Sequence, residues 1–169
     1  MKALKKIFLK TLVFLIFLTY SANANVIIGF PKVVDGDTLK INGEKVRLFG
    51  IDAPEINQNC YKNIFSFNFL SYSKKYKCGK TSANKLSLLV KNSRIVCQIR
   101  GIDRYQRKIA ICFKGNLDIN AWLIKEGLAV AYKKYSRKYS YLEKQAKDNQ
   151  KGIWGGKFDM PWNWRKKNK

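Results

Sequence analysis

Polar and apolar residues alternate most regularly in two short runs, Leu39-Lys40-Ile41 and Glu44-Lys45-Val46-Arg47-Leu48, separated by Asn42-Gly43. A period of two marks a half-buried strand, and Asn-Gly favours the type I′ turn whose twist matches the flanking strands. Pairing Ile41 with Glu44 sets Leu39 opposite Val46. Leu39, Ile41, Val46 and Leu48 then share one face, and Lys40, Lys45 and Arg47 the other. Asp37 and Arg47 fall on opposite faces of a regular pleat, so a bulge, a twist or a barrel edge is needed to bring them together. Upstream, Val26 to Val34 is apolar and β-branched but interrupted by Pro31, which suits a first strand near an edge or bulge. Downstream, Pro54 holds Ala53 extended and thereby aims Asp52 and Glu55.

Between Cys60 and Cys78 the pattern breaks. The stretch is aromatic, polar and lysine-tipped without a clean period. It predicts an inserted loop packed by its own aromatics and tied at its base by a disulfide, rather than a core element. A nucleic-acid-stacking loop is the functional alternative. Helical spacing returns at Thr81 to Lys91, with Ala83, Leu86 and Leu89 or Val90 on one face. Gly79-Lys80-Thr81 looks like the end of a phosphate-binding loop, but position 74 is lysine where that motif needs glycine.

Arg94 to Arg100 and Arg107 to Phe113 form a second hairpin around Asp103-Arg104-Tyr105-Gln106. An even-length turn there pairs Ile99 with Ala110 and Cys97 with Cys112, within disulfide reach. Leu117 to Glu126 is a second helix with Asp118 as its cap and Gly127 as its stop, and Leu128 to Tyr132 is a short apolar segment. A third helix opens at Ser136 or Ser140 and runs to about Asn149, stopped by Gly152. The tail, GIWGGKFDMPWNWRKK, reads as ordered chain packed on the body rather than as helix.

The four cysteines form an even set without zinc-ligand spacing, so two disulfides are expected: Cys97–Cys112 from the register, and Cys60–Cys78 from the remainder. The chain has no histidine, which excludes a Ser-His-Asp triad or a Cys-His pair.

Lys2, Lys5, Lys6 and Lys10 precede a short apolar run, Thr11 to Tyr20, and then Ala22-Asn23-Ala24. That is the layout of a signal peptide over residues 1–24, the run being shorter than the roughly 20 residues of a membrane span. Residues 25–169 are then one domain, secreted or periplasmic, with no stable membrane association after cleavage; an uncleaved anchor is the alternative. The formal charge of the chain is +23, and removing the four leader lysines leaves +19. A polyanion partner, nucleic acid first, is the expectation, with high solubility as the bland alternative.

Against that charge, Val34 to Glu55 stands out. It holds Asp35, Asp37, Glu44, Asp52 and Glu55, five of the 11 acidic residues, with Arg47 among them. Asp37 and Asp52 are oxygen ligands for a hard divalent cation. Glu55 is placed to take a proton from water, and Arg47 and Arg107 to fork onto phosphate oxygens. Those parts suit metal-assisted hydrolysis of a phosphodiester. Singly, each has a plain reading: Asp35 and Asp37 as turn caps, Arg47 as a solvent-facing side chain, Asp103 as a turn residue.

VDGDT, RLFGIDAPE and DRYQR, in that order, resemble the motifs of the staphylococcal nuclease (thermonuclease) family. EGLAVAY and the GIW…PWNWR tail extend the likeness over Val33 to Arg165, closest to its exported, cysteine-containing bacterial branch. The resemblance implies an α+β fold, a five-stranded OB-type β-barrel with three helices that binds nucleic acid on one barrel face. It also implies calcium-dependent hydrolysis of DNA and RNA by a monomer, leaving 3′-phosphates. On this likeness Asp37, Asp52 and the Ala53 carbonyl hold calcium, Glu55 is the general base, and Arg47 and Arg107 stabilise the phosphorane. Asp35 supports the metal site, and Arg104, Tyr105 and Tyr132 contact the nucleotide. Gln106 departs from the family pattern, which has glycine there; a positive φ at that position would strain the turn that aims Arg107. A protein that kept the OB fold but lost catalysis, and only holds nucleic acid, is the alternative.

Overall fold

The computed structural model describes residues 25–67 and 69–168. Residues 1–24, where the sequence places a signal peptide, lie outside the described residues. Twelve strands are described: β1 (Val26–Gly29), β2 (Lys32–Asp35), β3 (Thr38–Ile41), β4 (Glu44–Leu48), β5 (Ile51–Asp52) and β6 (Asn59–Phe67), then β7 (Leu70–Lys77), β8 (Ile95–Ile102), β9 (Lys108–Lys114), β10 (Leu117–Asp118), β11 (Val130–Ala131) and β12 (Gly156–Lys157). The described helices are α1 (Cys78–Val90), α2 (Ile119–Lys125), α3 (Ser140–Asp148) and α4 (Pro161–Lys167), with a 3₁₀ turn at Gly152–Gly155.

The main sheet runs β1-β8-β9-β4-β3-β2, with β10 paired to β9. Its two end strands, β1 and β2, are consecutive pieces of one strand bent at Phe30-Pro31, so the sheet returns on itself through the chain. Pro31 has no amide hydrogen to donate and sits where none is needed. Counted as one, the bent strand joins β3, β4, β8 and β9 to make the five strands of the expected OB-type α+β fold.

The first hairpin has the register read from the alternation, Ile41 opposite Glu44 and Leu39 opposite Val46. Leu39, Ile41, Val46 and Leu48 are each at most 1% exposed. Burying each such side chain stabilises the fold by about 1.5–3 kcal/mol. The other wall of this core comes from Leu86 and Val90 of α1 and Ile119, Leu123 and Ile124 of α2. Asp118 caps α2 by accepting from the Ala121 amide, and Gly127 ends that turn at φ +63°.

Both expected disulfides, Cys97–Cys112 and Cys60–Cys78, are formed. The second hairpin pairs Cys97 with Cys112 as read, yet its turn is not even. The Asp103 amide donates to the Arg107 carbonyl, enclosing a three-residue loop, Arg104 to Gln106, and a bulge between Ile99 and Gly101 restores the register. An odd turn and a bulge cancel, so the pairing holds although the turn length does not.

Two expectations are corrected. The segment between Cys60 and Cys78 is not an irregular loop: β6 and β7 form a long hairpin, and β12 adds to its base through Gly156 opposite Lys62. Alternation failed to show it because a bulge between Asn63 and Phe65 breaks the period and most of its side chains are exposed. The tail is also not helix-free, so the three expected helices are joined by a fourth. Pro161 stands at the first helical position of α4, where its missing amide costs nothing. Cys60, Cys78, Val130 and Ile153 form a second small core on which Trp154, Phe158, Met160 and Trp162 pack. That core fastens the tail to the base of the hairpin.

Candidate active site

Asp37 is not on the pleat at all. It lies in the two-residue turn Gly36-Asp37 between β2 and β3, and this is how it meets Arg47 of β4. The Asp35 carboxylate shapes that turn by accepting from the Asp37 amide (3.0 Å). Arg47 Nη1 donates to Asp37 Oδ1 (2.9 Å) and Nη2 to Asp52 Oδ1 (2.7 Å), so one guanidinium joins two carboxylates from separate segments. Thr38 Oγ1 and the Ala53 amide complete the partners of Asp37. Asp52 belongs to β5, which pairs with β11 through Val130.

Burial drives both carboxyls upward in pKa. For Asp37, Arg47 opposes the shift and the Asp35 charge adds to it. For Asp52, the bond from Arg165 opposes it and the charge of Asp37 adds to it. Burial also favours the neutral form of Arg47, but the two carboxylates outweigh it and hold the guanidinium charged.

Arg165, on α4, is the residue that sequence reasoning missed. Its Nη1 donates to Glu55 Oε1 (2.8 Å) and Asp52 Oδ1 (3.1 Å), and its Nη2 to Asp52 Oδ2 (2.8 Å). The two carboxylates outweigh its partial burial and raise its pKa further. Pro161, a helix-start signal four residues before it, was the available clue. Gln58 ties the same regions a second time: its fully buried side chain accepts from the Glu55 amide (3.2 Å) and donates to the Asp159 carbonyl (2.6 Å). Beneath Glu55, a Cβ at Gly79 would overlap the Glu55 carbonyl oxygen. The glycine of the rejected phosphate-loop likeness is there for close backbone approach.

A cleft of ≈ 900 Å³ collects these residues. Asp35, Asp37, Arg47, Ala53, Glu55 and Arg165 line it. Arg104, Tyr105, Arg107 and Tyr132 also line it, and Asp52 lies beneath, fully buried. Arg107 is held by Asp103, through Nε to Oδ2 (2.8 Å) and its own amide to Oδ1 (3.0 Å). Asp103, the plain turn residue of the sequence reading, is therefore also the clamp of Arg107. These bonds outweigh desolvation and lower its pKa. Arg104 stacks over the Tyr105 ring, its Cζ 4.8 Å from the centroid. Tyr132 stacks on Trp162 of α4 at 5.6 Å and 8°. Burial raises the Tyr132 pKa, so its phenol stays a neutral donor.

Asp37, Asp52 and the Ala53 carbonyl are hard oxygen donors. Two buried, mutually repelling carboxylates fit a divalent cation, whose charge would relieve both effects. Among the described residues no three His, Cys, Asp or Glu side chains form a cage, so the donor set suits a cation that keeps waters of its own.

Residues 45–156 match the family model for staphylococcal nuclease homologues. The chain is 38% identical over 143 residues to a succinoglycan biosynthesis protein of Rhizobium meliloti, covering 82% of this chain and 71% of that one. It is 34% identical to an uncharacterized endonuclease of Haemophilus influenzae, covering 82% and 72% of the two chains. It is 27% identical to a micrococcal nuclease of Shigella flexneri, covering 82% and 79%. A family match over more than half of the chain, together with relatives above 30% identity aligned along most of their length, shows that the chain belongs to the staphylococcal nuclease homologue family.

Proposed function

We propose that this protein is an exported, calcium-dependent nuclease that hydrolyses phosphodiester bonds of DNA and RNA and leaves 3′-phosphates. One observation carries the reading: Asp37, Arg47, Glu55 and Arg107, from four separate segments, face one cleft in a strongly basic protein. Relatives named endonuclease and micrococcal nuclease support it.

Calcium held by Asp37, Asp52 and the Ala53 carbonyl would supply Lewis-acid polarisation of a phosphoryl oxygen. Glu55 takes the proton of the attacking water. Arg47 and Arg107 present paired N–H groups to the phosphoryl oxygens as negative charge develops. Arg104, Tyr105 and Tyr132 bind the nucleotide beside the scissile bond, and Asp35 supports the Asp37 turn. Arg165 orients Glu55 and shares Asp52, which makes it a positioning residue. Two disulfides suit an oxidising compartment, the medium or the periplasm, where the protein works as a monomer.

The second reading, a silent nucleic-acid-binding protein, draws on one observation: two arginines already neutralise Asp52. Incubation with single- and double-stranded DNA, in calcium and in chelator, separates the two. Calcium-dependent cleavage to 3′-phosphate ends is expected, slowed about 10²–10⁴-fold in Glu55→Gln. Binding without cleavage in calcium would establish the silent reading.

A further inference from the structure

The β6–β7 hairpin projects beyond the second core and presents a face that no described residue covers. Phe65, Phe67, Leu70 and Tyr72 are 46%, 75%, 61% and 55% exposed, and Phe69 at the tip is 98% exposed. Phe65 pairs with Tyr72 and Phe67 with Leu70, so these four side chains share one face. The Phe65 and Tyr72 rings stack at 6.3 Å. On the opposite face the Ser73 hydroxyl donates to the Asn63 side-chain oxygen (2.9 Å).

Charge is segregated along the hairpin. No charged residue occurs from Asn63 to Ser73, whereas Lys62, Lys74, Lys75 and Lys77 ring the base. Lys62 sits directly opposite Lys74, and Lys74 shares the face of Tyr72 and Leu70. Like charges opposed across strands cost stability unless an anion lies between them. No acidic residue occurs anywhere between Glu55 and Asp103 to serve as one.

We infer that this hairpin docks the protein on an anionic phospholipid surface. Aromatic side chains favour the membrane–water boundary, and lysines favour its anionic headgroups. Lys74 stands four residues from Leu70, about 13 Å along the strand. That spacing lets lysines meet the phosphate layer while the tip enters the acyl boundary, where interfacial segments insert about 5–10 Å. A single-stranded nucleic acid would need basic groups interleaved with the stacking rings, to track each phosphate. Here the rings and the lysines occupy separate zones. Insertion stays shallow, because among the described residues β7 pairs only with β6 and its outer backbone edge must keep water. The sequence expectation is no stable membrane association after cleavage; a shallow, reversible docking goes beyond it and does not depend on the nuclease reading.

The test is co-sedimentation of the full chain with phosphatidylcholine vesicles, with and without one quarter phosphatidylglycerol. Wild type is compared with Phe67→Ser/Phe69→Ser/Leu70→Ser and with Lys62→Ser/Lys74→Ser, so that residues 1–24 contribute equally. Each variant is expected to lose about tenfold or more in affinity for the anionic vesicles, at unchanged melting temperature. Equal vesicle binding by wild type and the tip variant would overturn the inference. So would a tip variant that keeps vesicle binding but loses affinity for a single-stranded oligonucleotide in chelator; that outcome would assign the face to nucleic acid.

Discussion

Arg165 and Glu55 are 110 residues apart in sequence and joined at 2.8 Å in the fold, and the same guanidinium also grips Asp52. The carboxylate proposed as base and one proposed as metal ligand therefore share a cation delivered by the last helix. Removing that cation has two opposed effects. Asp52 loses a positive neighbour, so calcium binds about tenfold more tightly or better in Arg165→Ala. Glu55 loses its orienting partner, so turnover at saturating calcium falls, about 10²-fold if the carboxylate shifts by an ångström. Calorimetry of calcium binding and steady-state cleavage read the two separately. Arg165→Lys is expected to restore little turnover, since one ammonium cannot reproduce the fork. Weaker calcium binding in Arg165→Ala would remove Arg165 from competition with the metal.

Gly79 offers a second route to Glu55 that leaves every charged group in place. Its backbone lies against that of Glu55, and an added Cβ would overlap the Glu55 carbonyl oxygen and come within 2.8 Å of the Pro54 carbonyl oxygen. Gly79→Ala must push the Pro54-Glu55 backbone away, because both obstacles are main chain. Expected are a stability loss of about 1–3 kcal/mol and a drop in turnover larger than that loss explains. Denaturant titration gives the first and cleavage assays at a temperature where the variant is folded give the second. Turnover equal to wild type would mean that Glu55 tolerates displacement and is not the base.

Gln106 holds φ +61°, the left-handed conformation that glycine adopts without strain. A positive φ at this position is the condition under which the turn that aims Arg107 is strained. The condition is met, yet Asp103 grips the Arg107 amide and guanidinium, so the strain is borne without releasing the side chain. Gln106→Gly is therefore expected to raise stability by up to about 1 kcal/mol. Turnover should change less than twofold. A large gain in turnover would show that Gln106 does displace Arg107.

That turn also shows what a sequence makes legible here. Local signals were reliable: Asn-Gly set the first register, Asp118 and Gly127 bounded a helix, and the opposed cysteines paired. Misreadings arose where two irregularities meet, as at the bulge after Ile99, or where packing acts across great separation. Asp37 and Arg47 looked incompatible on a regular pleat; Asp37 is in a turn, where the pleat does not apply. Arg165 was invisible because its placement depends on β12 pairing with β6 and on the tail core, neither of which has a local pattern. The proposed catalytic residues come from short motifs, and the residue that organises them comes from the tertiary fold.

Glu143 connects stability to that organisation. Its carboxylate is 4% exposed and accepts from the Ala131 amide (3.0 Å), with Lys133 at 2.7 Å and Lys147 at 3.2 Å. Ala131 belongs to β11, the strand that pairs with β5 and so holds Asp52 in place. Burial opposes its ionisation, but the bonds from Lys133, Lys147 and Ala131 outweigh that and lower its pKa below the ordinary 4.5. A carboxyl lowered on folding contributes stability that is fully present above its unfolded pKa. That contribution is lost as the pH falls through the folded value, because the unfolded chain then takes up the proton first. Wild type should therefore lose melting temperature faster than Glu143→Gln as the pH drops below about 4.5. At neutral pH the variant should be less stable by about 1–3 kcal/mol, having lost a charge-assisted set of bonds. Melting curves across that range check both. Parallel slopes for the two proteins would show that Glu143 does not titrate with folding.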